Sequence, residues 1–258
     1  MVKNMYPIAV FDSGMGGISV LKEMVKLMPE EDFIYFGDSK NAPYGTKTMD
    51  QVRSLTFSNI EYLLDRYHAK AIAVACNTAT SAAVRPLRNM YPDLPIVGVE
   101  PAIKPAVESG PHPRILVMAT PYTIQGEKFA RLKETYEASS TIYPLPCPGL
   151  MEFVERGDLY SEDLENFLHE LIDPYLEKGI DCIVLGCTHY PFVAGTIRKI
   201  AGDEITLFDG SLGTARELRR RIRKAGLERD PSHRGGVTFL NSSGEPGRNR
   251  LARHLLHL

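Results

Sequence analysis

The stretch that organises this chain is Ala71-Ile-Ala-Val-Ala-Cys76-Asn77-Thr78-Ala-Thr-Ser-Ala-Ala. A short apolar run ends in Cys-Asn-Thr, and small residues suited to a helix follow. This pattern predicts a buried strand, a tight turn and the start of a helix. Cys76 then lies at the end of the strand, beneath the first free N–H groups of the helix. Such a position is electropositive and lowers the pKa of a thiol.

The same pattern returns later in the chain as Cys182-Ile-Val-Leu-Gly-Cys187-Thr188-His189-Tyr190-Pro191. Two thiols at corresponding strand ends in the two halves of one chain indicate a shared site, because the sites of open α/β sheets lie at strand ends. The alternative is that a cysteine is an inert, buried small hydrophobe, and we expect this of Cys147 and Cys182. The four cysteines lack the spacing of a disulfide scaffold or a zinc site, so we expect no metal.

The composition of the chain bears on its class and its partners. Its 258 residues are 43% hydrophobic and 24% charged, as in ordinary globular proteins. The net charge of −2 favours neither nucleic acid nor an acidic membrane surface as a partner. The sequence shows no signal-peptide pattern and no apolar run long enough to cross a bilayer. We therefore expect a cytoplasmic protein with reduced cysteines that binds neither nucleic acid nor membrane.

Short apolar runs alternate with helical periodicity through the first hundred residues. The order is βαβαβαβ with short connections, which is typical of a parallel, doubly wound sheet. The predicted strands are Ile8–Phe11, Phe33–Phe36, the run before Cys76, and 95–99. The helices between them are predicted at 18–28, at 49–67 and up to about residue 90.

The βα series starts afresh at Ile115 and runs to a strand at 205–208. An alignment of the halves puts Asp12 opposite Thr120, Tyr35 opposite Tyr143 and Cys76 opposite Cys187. We therefore predict two facing parallel-sheet α/β domains related by pseudo-twofold symmetry, with the active site in the cleft between them. The first domain comprises residues 1–99 plus 208–258 and carries Cys76; the second comprises 100–207 and carries Cys187.

The C-terminal part differs from this series. A strand at 237–240 and a helix at 249–258 are expected to return to the first domain. The helix at 213–225 is rich in arginine, which allows a nucleic-acid face, but a solvated basic helix is the usual meaning of such a run.

A glycine-rich turn, Asp12-Ser13-Gly14-Met-Gly16-Gly17, follows the first strand. It matches the dinucleotide-binding pattern G-x-G-x-x-G poorly, and its acidic residue would repel a pyrophosphate. The N–H groups of such a turn are better suited to a carboxylate.

Two thiols that face each other suit one reaction in particular, the inversion of a carbon centre that bears an acidic hydrogen. A base is needed on one face of the carbon and an acid on the other. If one cysteine is a thiolate and the other a thiol, each turnover exchanges their roles. A single nucleophilic thiol would need only one cysteine with a nearby histidine, so the duplication favours proton transfer over covalent catalysis.

Four motifs resemble those of the glutamate racemases, in the aspartate/glutamate racemase superfamily, in order and over nearly the whole chain. They are Phe11-Asp12-Ser13-Gly14-Met-Gly16-Gly17, Tyr35-Phe-Gly37-Asp38 with Pro43-Tyr44-Gly45, Ala75-Cys76-Asn77-Thr78, and Leu185-Gly186-Cys187-Thr188-His189-Tyr190-Pro191. The resemblance implies a cofactor-independent enzyme that interconverts L- and D-glutamate and supplies D-glutamate for bacterial peptidoglycan. It also implies a homodimer.

The resemblance further assigns roles to single residues. Cys76 takes the α-proton of D-glutamate and Cys187 that of L-glutamate. Asp12 assists the first cysteine and His189 the second; Glu155 is a further acidic helper, with Glu152 as a rival because Gly149-Leu-Met-Glu152-Phe departs from the family pattern. The positions that match substrate-binding residues are Asp12, Ser13, Tyr44, Gly45, Asn77, Thr78, Thr188 and His189.

Two other functions stay open at this point. A racemase of the same superfamily that acts on aspartate or a related amino acid would carry the same cysteines, with different donors around the side-chain carboxylate. A non-catalytic carboxylate-binding or regulatory protein is the second alternative, since some glutamate racemases have been linked to inhibition of DNA gyrase. The presence of both thiols disfavours it.

Overall fold

The computed structural model describes residues 3–258, apart from the Lys128 side chain. The chain divides into two compact units, and we describe each by itself. The first unit comprises the described residues up to Glu100 together with 211–258; the second comprises residues 101–210. That these units are domains with the predicted bounds stays a prediction.

The first hundred residues alternate strands with helices. Short 3-10 helices lie at Lys3–Met5 and Tyr44–Thr46. The regular elements are β1 (Ile8–Asp12), α1 (Ile18–Leu27), β2 (Phe33–Gly37), α2 (Met49–Tyr67), β3 (Ala71–Val74), α3 (Asn77–Met90) and β4 (Ile96–Gly98).

The second unit repeats the alternation with more and shorter helices. Its 3-10 helix lies at Tyr190–Val193. Its elements are α4 (Ile103–Val107), β5 (Arg114–Ala119), α5 (Pro121–Gln125), α6 (Glu127–Tyr136), β6 (Thr141–Pro146), α7 (Leu150–Glu155), α8 (Glu162–Leu176), β7 (Cys182–Leu185), α9 (Ala194–Ala201) and β8 (Thr206–Asp209).

The C-terminal residues return to the first unit. They form α10 (Ser211–Lys224), β9 (Val237–Asn241) and α11 (Pro246–His257). The apolar side of α10 packs on α1, and α11 packs on α1 and β9, so the arginines of α10 lie on its other faces. The predicted start of the last helix at residue 249 was wrong, because Pro246 supplies a first helical position that needs no N–H partner.

Both sheets are parallel, which confirms the predicted class of two parallel-sheet α/β units. The strand order is β4-β3-β1-β2-β9 in the first unit and β6-β5-β7-β8 in the second. The order β2-β1-β3-β4 of the first sheet thus recurs as β6-β5-β7-β8. The carboxyl ends of parallel strands lie at one edge of a sheet, and sites in such folds form there. Cys76 and Cys187 both follow a strand next to the first strand of their sheet.

The backbone register corrects two of the three predicted correspondences between the halves and agrees with the third, Cys76 with Cys187. The Asp38 N–H donates to the Asp12 carbonyl at 2.9 Å, and the Cys147 N–H donates to the Ala119 carbonyl at 2.9 Å. Ala119, and not Thr120, therefore occupies the place of Asp12. Val10 pairs with Tyr35, and Val117 pairs with Pro144. Pro144, and not Tyr143, therefore occupies the place of Tyr35. The register of hydrogen bonds, rather than a constant distance along the chain, decides which residues correspond. The two units do not carry equivalent acids at the place of Asp12.

Strands β1 and β3 are completely buried, as the apolar sequences of central parallel strands require. The helix α2, which leads into β3, begins with a local signal, because Thr48 and Gln51 form a capping box at its start. Among the described residues, no helix combines the length and the apolar character needed to cross a bilayer.

Candidate active site

The first candidate half-site, which we call the Cys76 half-site, consists of Cys76, Asp12, Ser13 and the first turn of α3. Cys76 is the N-cap of α3, and its Sγ accepts a hydrogen bond from the Ala79 N–H at 3.5 Å. The Ser13 hydroxyl lies 3.4 Å from the same sulfur. The thiol is buried at the positive end of a helix, where a thiolate is stabilised. The sequence predicted this strand–helix junction correctly.

Asp12 ends β1 and is fully buried. Its Oδ2 accepts hydrogen bonds from the Gly14 N–H at 3.1 Å and the Gly17 N–H at 3.0 Å, and from the Tyr35 hydroxyl at 3.2 Å. The glycine at position 17 is required by close packing, because a Cβ there would lie 2.7 Å from the Cβ of Asp12. The expectation that the N–H groups of this glycine-rich turn hold a substrate carboxylate was wrong for Gly14 and Gly17, because the Asp12 carboxylate already accepts from both.

Two predicted binding residues, Asn77 and Thr78, form the first turn of α3 and are buried. The Asn77 Oδ1 atom is buried and has no hydrogen-bond partner among the described residues. A buried polar atom of this kind calls for an explanation, and a bound ligand with a donor group supplies one. The first amides of a helix also lack intrahelical partners, which favours an anionic group beside this turn.

Tyr44 and Gly45 lie in the 3-10 helix that follows the loop after β2. The Tyr44 hydroxyl donates to Asp38 Oδ2 at 2.6 Å. Burial, and next the hydrogen bond to this carboxylate, raise the pKa of Tyr44 far above its ordinary value. Tyr44 therefore remains a protonated donor at any physiological pH. Asp38 itself is buried. The sequence alone placed it within a motif but gave it no role.

The second candidate half-site, the Cys187 half-site, consists of Cys187, Thr188, His189 and Glu155. Cys187 Sγ lies 3.6 Å from His189 Nδ1, and His189 Nε2 lies 2.8 Å from Glu155 Oε1. Thiol, imidazole and carboxylate thus form a continuous chain, in which the acid orients the imidazole beside the thiol. Glu155, the last residue of α7, makes this contact, whereas its rival Glu152 is exposed.

His189 is the most perturbed group of this half-site. Burial by itself lowers the pKa of His189, but hydrogen bonds and charge from Cys187 and Glu155 raise it. The net pKa lies well above its ordinary value of 6.5. The imidazole therefore holds its proton at neutral pH and places a positive charge beside the sulfur of Cys187, which lies 3.6 Å from His189 Nδ1.

The chain beyond Cys187 does not follow the predicted strand–helix junction. A turn and the 3-10 helix come first, and the Tyr190 N–H donates to the Cys187 carbonyl at 3.1 Å. The α-helix α9 begins only at Ala194. The prediction of a helix N-terminus directly after Cys187 was therefore wrong. Thr188 is buried within this turn, next to the thiol in sequence.

The two other cysteines are buried thiols. Burial raises the pKa of Cys182 to about 11. Burial, and then the charge of Cys187, raise the pKa of Cys147 to about 12. Cys147 therefore lies within electrostatic range of the Cys187 half-site, which its spacing in the sequence did not reveal. The two thiols stay protonated at neutral pH.

Nowhere in residues 3–258 do three or more His, Cys, Asp or Glu side chains cluster in a way that could hold a metal ion. The groups that cluster instead are the acid–base groups of the two half-sites.

Fold and geometry together define an all-parallel α/β protein in which each unit carries a buried thiol that follows the carboxyl end of a strand. Comparison with known proteins agrees with this class. The family model described as Asp/Glu/Hydantoin racemase matches residues 8–218. A curated glutamate racemase of Clostridium perfringens is 48% identical over 252 residues, which cover 98% of this chain and 96% of that protein.

Solved structures agree as well. A glutamate racemase from Francisella tularensis in complex with D-glutamate has a TM-score of 0.84 at 28% identity and covers 99% of this chain and 95% of its own. The isoform RacE1 glutamate racemase of Bacillus anthracis has a TM-score of 0.87 at 28% identity, with 98% and 94% covered. The chain belongs to the glutamate racemases of the Asp/Glu/hydantoin racemase family. It is an isomerase, an amino-acid racemase.

Proposed function

We propose that the protein interconverts L- and D-glutamate without a cofactor, by proton transfer between Cys76 and Cys187. The observation that carries this proposal is the presence of one buried thiol in each half-site, each beside its own partner groups. The relatives support glutamate as the substrate, since the Clostridium perfringens protein bears the name glutamate racemase and the Francisella tularensis structure contains D-glutamate.

The proposed reaction conserves atoms and charge in each direction. The Cys76 thiolate removes the α-proton of D-glutamate and becomes a thiol, while the electron pair of the C–H bond stays on the substrate as a carbanion. The Cys187 thiol then donates its proton to the opposite face of the α-carbon and becomes a thiolate. The product is L-glutamate. In the reverse direction, Cys187 is the base and Cys76 is the acid.

Each thiol has its own helper in this scheme. Asp12 receives or returns a proton near Cys76, or accepts a hydrogen bond from the substrate ammonium group. The protonated His189 stabilises the Cys187 thiolate, and Glu155 keeps the imidazole charged and oriented. Positioned acid–base groups of this kind contribute about 10²–10⁴ in rate.

The substrate carries two carboxylates, which need hydrogen-bond donors, and an ammonium group, which needs an acceptor. The first turn of α3 supplies Asn77 and Thr78. The 3-10 helix after β2 supplies the backbone amides of Tyr44 and Gly45, because the Tyr44 hydroxyl proton is already donated to Asp38. Asp12, Ser13, Thr188 and His189 complete the proposed set. The buried Asn77 Oδ1 suits the ammonium group, which is a donor.

In the cell, this activity would supply D-glutamate for bacterial peptidoglycan from the cytoplasm. We also propose that the protein acts as a homodimer. No pyridoxal phosphate is required in this scheme, since neither cysteine motif contains a lysine that could form a Schiff base.

The test uses purified protein in deuterated water with L-glutamate, and with L-aspartate in parallel. We expect loss of optical rotation and exchange of the α-hydrogen, read by polarimetry and NMR, with glutamate alone. Inversion of aspartate instead of glutamate would assign the protein to the alternative substrate. Absence of exchange with both amino acids would favour a non-catalytic carboxylate-binding protein. Loss of activity with a chelator would contradict the cofactor-free mechanism.

A further inference from the structure

We propose that the end of β9, at Asn241 and Ser242, is a positioning element for the substrate-binding loop of Tyr44, and that it acts through Asp38. This inference rests on the proposed function for the role of Tyr44. The contact is long-range in sequence, because some 200 residues separate Ser242 from the loop.

Asp38 is the centre of a side-chain network that holds the loop after β2. Its carboxylate is buried and accepts hydrogen bonds from four side chains, all uncharged: Asn41, Tyr44, Asn59 and Ser242. Asn59 lies on α2, so the loop is held from the helix on one side and from the end of β9 on the other. A buried carboxylate that depends on neutral donors becomes less stable when any one of them is lost.

Ser242 makes two of the contacts that join β9 to this loop. Its hydroxyl donates to Asp38 Oδ1 at 2.6 Å and accepts from the Lys40 N–H at 3.0 Å. One residue earlier, the Asn241 amide donates to the Ser39 hydroxyl at 2.8 Å. The parallel pairing of β9 with β2 brings these residues to the loop, since Gly37 pairs with Asn241 and the Ser242 N–H donates to the Gly37 carbonyl.

Glycine at position 37 permits this close arrangement. A Cβ there would lie 2.4 Å from the Gly14 carbonyl oxygen and 3.2 Å from the Asn241 side-chain nitrogen. The end of β2 is thus packed between the Asp12 turn and the end of β9. A change at Ser242 is therefore transmitted to the Asp38 carboxylate and to the hydroxyl of Tyr44, which rests on it at 2.6 Å.

The test compares three variants. Ser242→Ala removes both hydroxyl contacts, Ser242→Thr keeps a hydroxyl, and Thr238→Ala is the control on an exposed position of the same strand. We expect Ser242→Ala to raise the KM for L-glutamate about tenfold, because the variant loses a hydrogen bond to a charged group. The kcat should stay within about twofold of the parent. Ser242→Thr should restore KM, and Thr238→Ala should leave it unchanged.

Amide hydrogen exchange supplies a readout that needs no activity. We expect Ser242→Ala to speed exchange at residues 39–46 and to leave the strands of the sheet protected. Unchanged exchange at these residues, a parent-like KM, or faster exchange throughout the first unit would overturn the inference. If the parent does not racemise glutamate, the proposed function fails, and the exchange experiment still decides whether Ser242 orders the loop.

Discussion

The sheets that carry Cys76 and Cys187 share a strand order, but the two half-sites differ in the groups that surround the thiol. Cys76 caps a helix, accepts an N–H from Ala79 and lies beside the hydroxyl of Ser13. Cys187 lies in a turn before a 3-10 helix, next to an imidazole that a carboxylate holds. The two thiols are alike in place and unlike in chemical environment.

In the proposed mechanism, this difference means that two thiols are prepared for opposite faces of one carbon by different surrounding groups. At Cys76, the dipole of α3 points its positive end at the sulfur, which accepts a hydrogen bond from the Ala79 amide. At Cys187, an imidazole lies beside the sulfur, and burial, Cys187 and Glu155 together set the pKa of that imidazole. The two environments are therefore separately adjustable, and substitutions in one should reveal themselves at one proton-transfer step.

The largest expected effect after the cysteines comes from the two helper residues. Asp12→Asn and His189→Asn should each lower kcat/KM about a hundredfold, because each removes a group that assists proton transfer. The loss must be equal in both directions, since the equilibrium constant between two enantiomers is unity. Direction is therefore read from isotope effects with α-deuterated substrates.

With Asp12→Asn, the step at Cys76 becomes limiting, so the isotope effect should be larger for D-glutamate than for L-glutamate. With His189→Asn, the larger effect should be seen with L-glutamate. Equal isotope effects for both enantiomers in both variants would contradict the separation of the two half-sites.

A smaller effect should distinguish Glu155 from Glu152. Glu155→Gln keeps the size of the side chain but removes the charge that raises the pKa of His189. We expect kcat to fall about tenfold, because the imidazole beside Cys187 then holds its proton less firmly. Glu152→Gln is the matched control three residues earlier on α7, and it should stay within about twofold of the parent. A larger loss from Glu152→Gln would reverse the assignment.

The smallest expected effect concerns the stability of the second unit with pH. The pKa of His189 is raised on folding, so its charged contacts add to the free energy of unfolding most fully below its ordinary value of 6.5. The contribution is lost as the pH rises through the raised pKa. In urea unfolding, the difference between the parent and His189→Asn should shrink with rising pH above 6.5. A difference that grows with pH would contradict the raised pKa.

Local patterns were sufficient for much of the fold and for the centre of each half-site. The apolar run before Cys76 and the small residues after it determine a buried strand and a capped helix, as found. The bounds of α2 agree with the prediction because each end has a local cap. Thr48 caps the start with its side chain, and His68 adopts a left-handed conformation at the end. Such features depend on neighbours within a few residues.

Features that depend on distant residues were not predictable in this way. The link from Ser242 to Asp38 requires the parallel pairing of β9 with β2, which a single sequence does not specify. The choice between Glu152 and Glu155 requires knowing which side of α7 faces His189, and a single sequence does not show this. The prediction of a helix directly after Cys187 was wrong because a turn and the 3-10 helix that contains Pro191 come before α9.

The central claim is that the two cysteines are bases for opposite enantiomers, and single-cysteine variants test it most directly. Serine is close in size to cysteine but a much weaker acid, so Cys76→Ser and Cys187→Ser should each abolish racemisation while glutamate still binds. Elimination of HCl from a β-chloro analogue of glutamate needs only the base on one face.

The decisive measurement is chloride release from each enantiomer of that analogue. Cys187→Ser should still process the D analogue through Cys76, and Cys76→Ser the L analogue through Cys187. A preference of both variants for the same enantiomer would refute the assignment of faces, and racemisation of glutamate at the parent rate by either variant would refute the two-thiol mechanism.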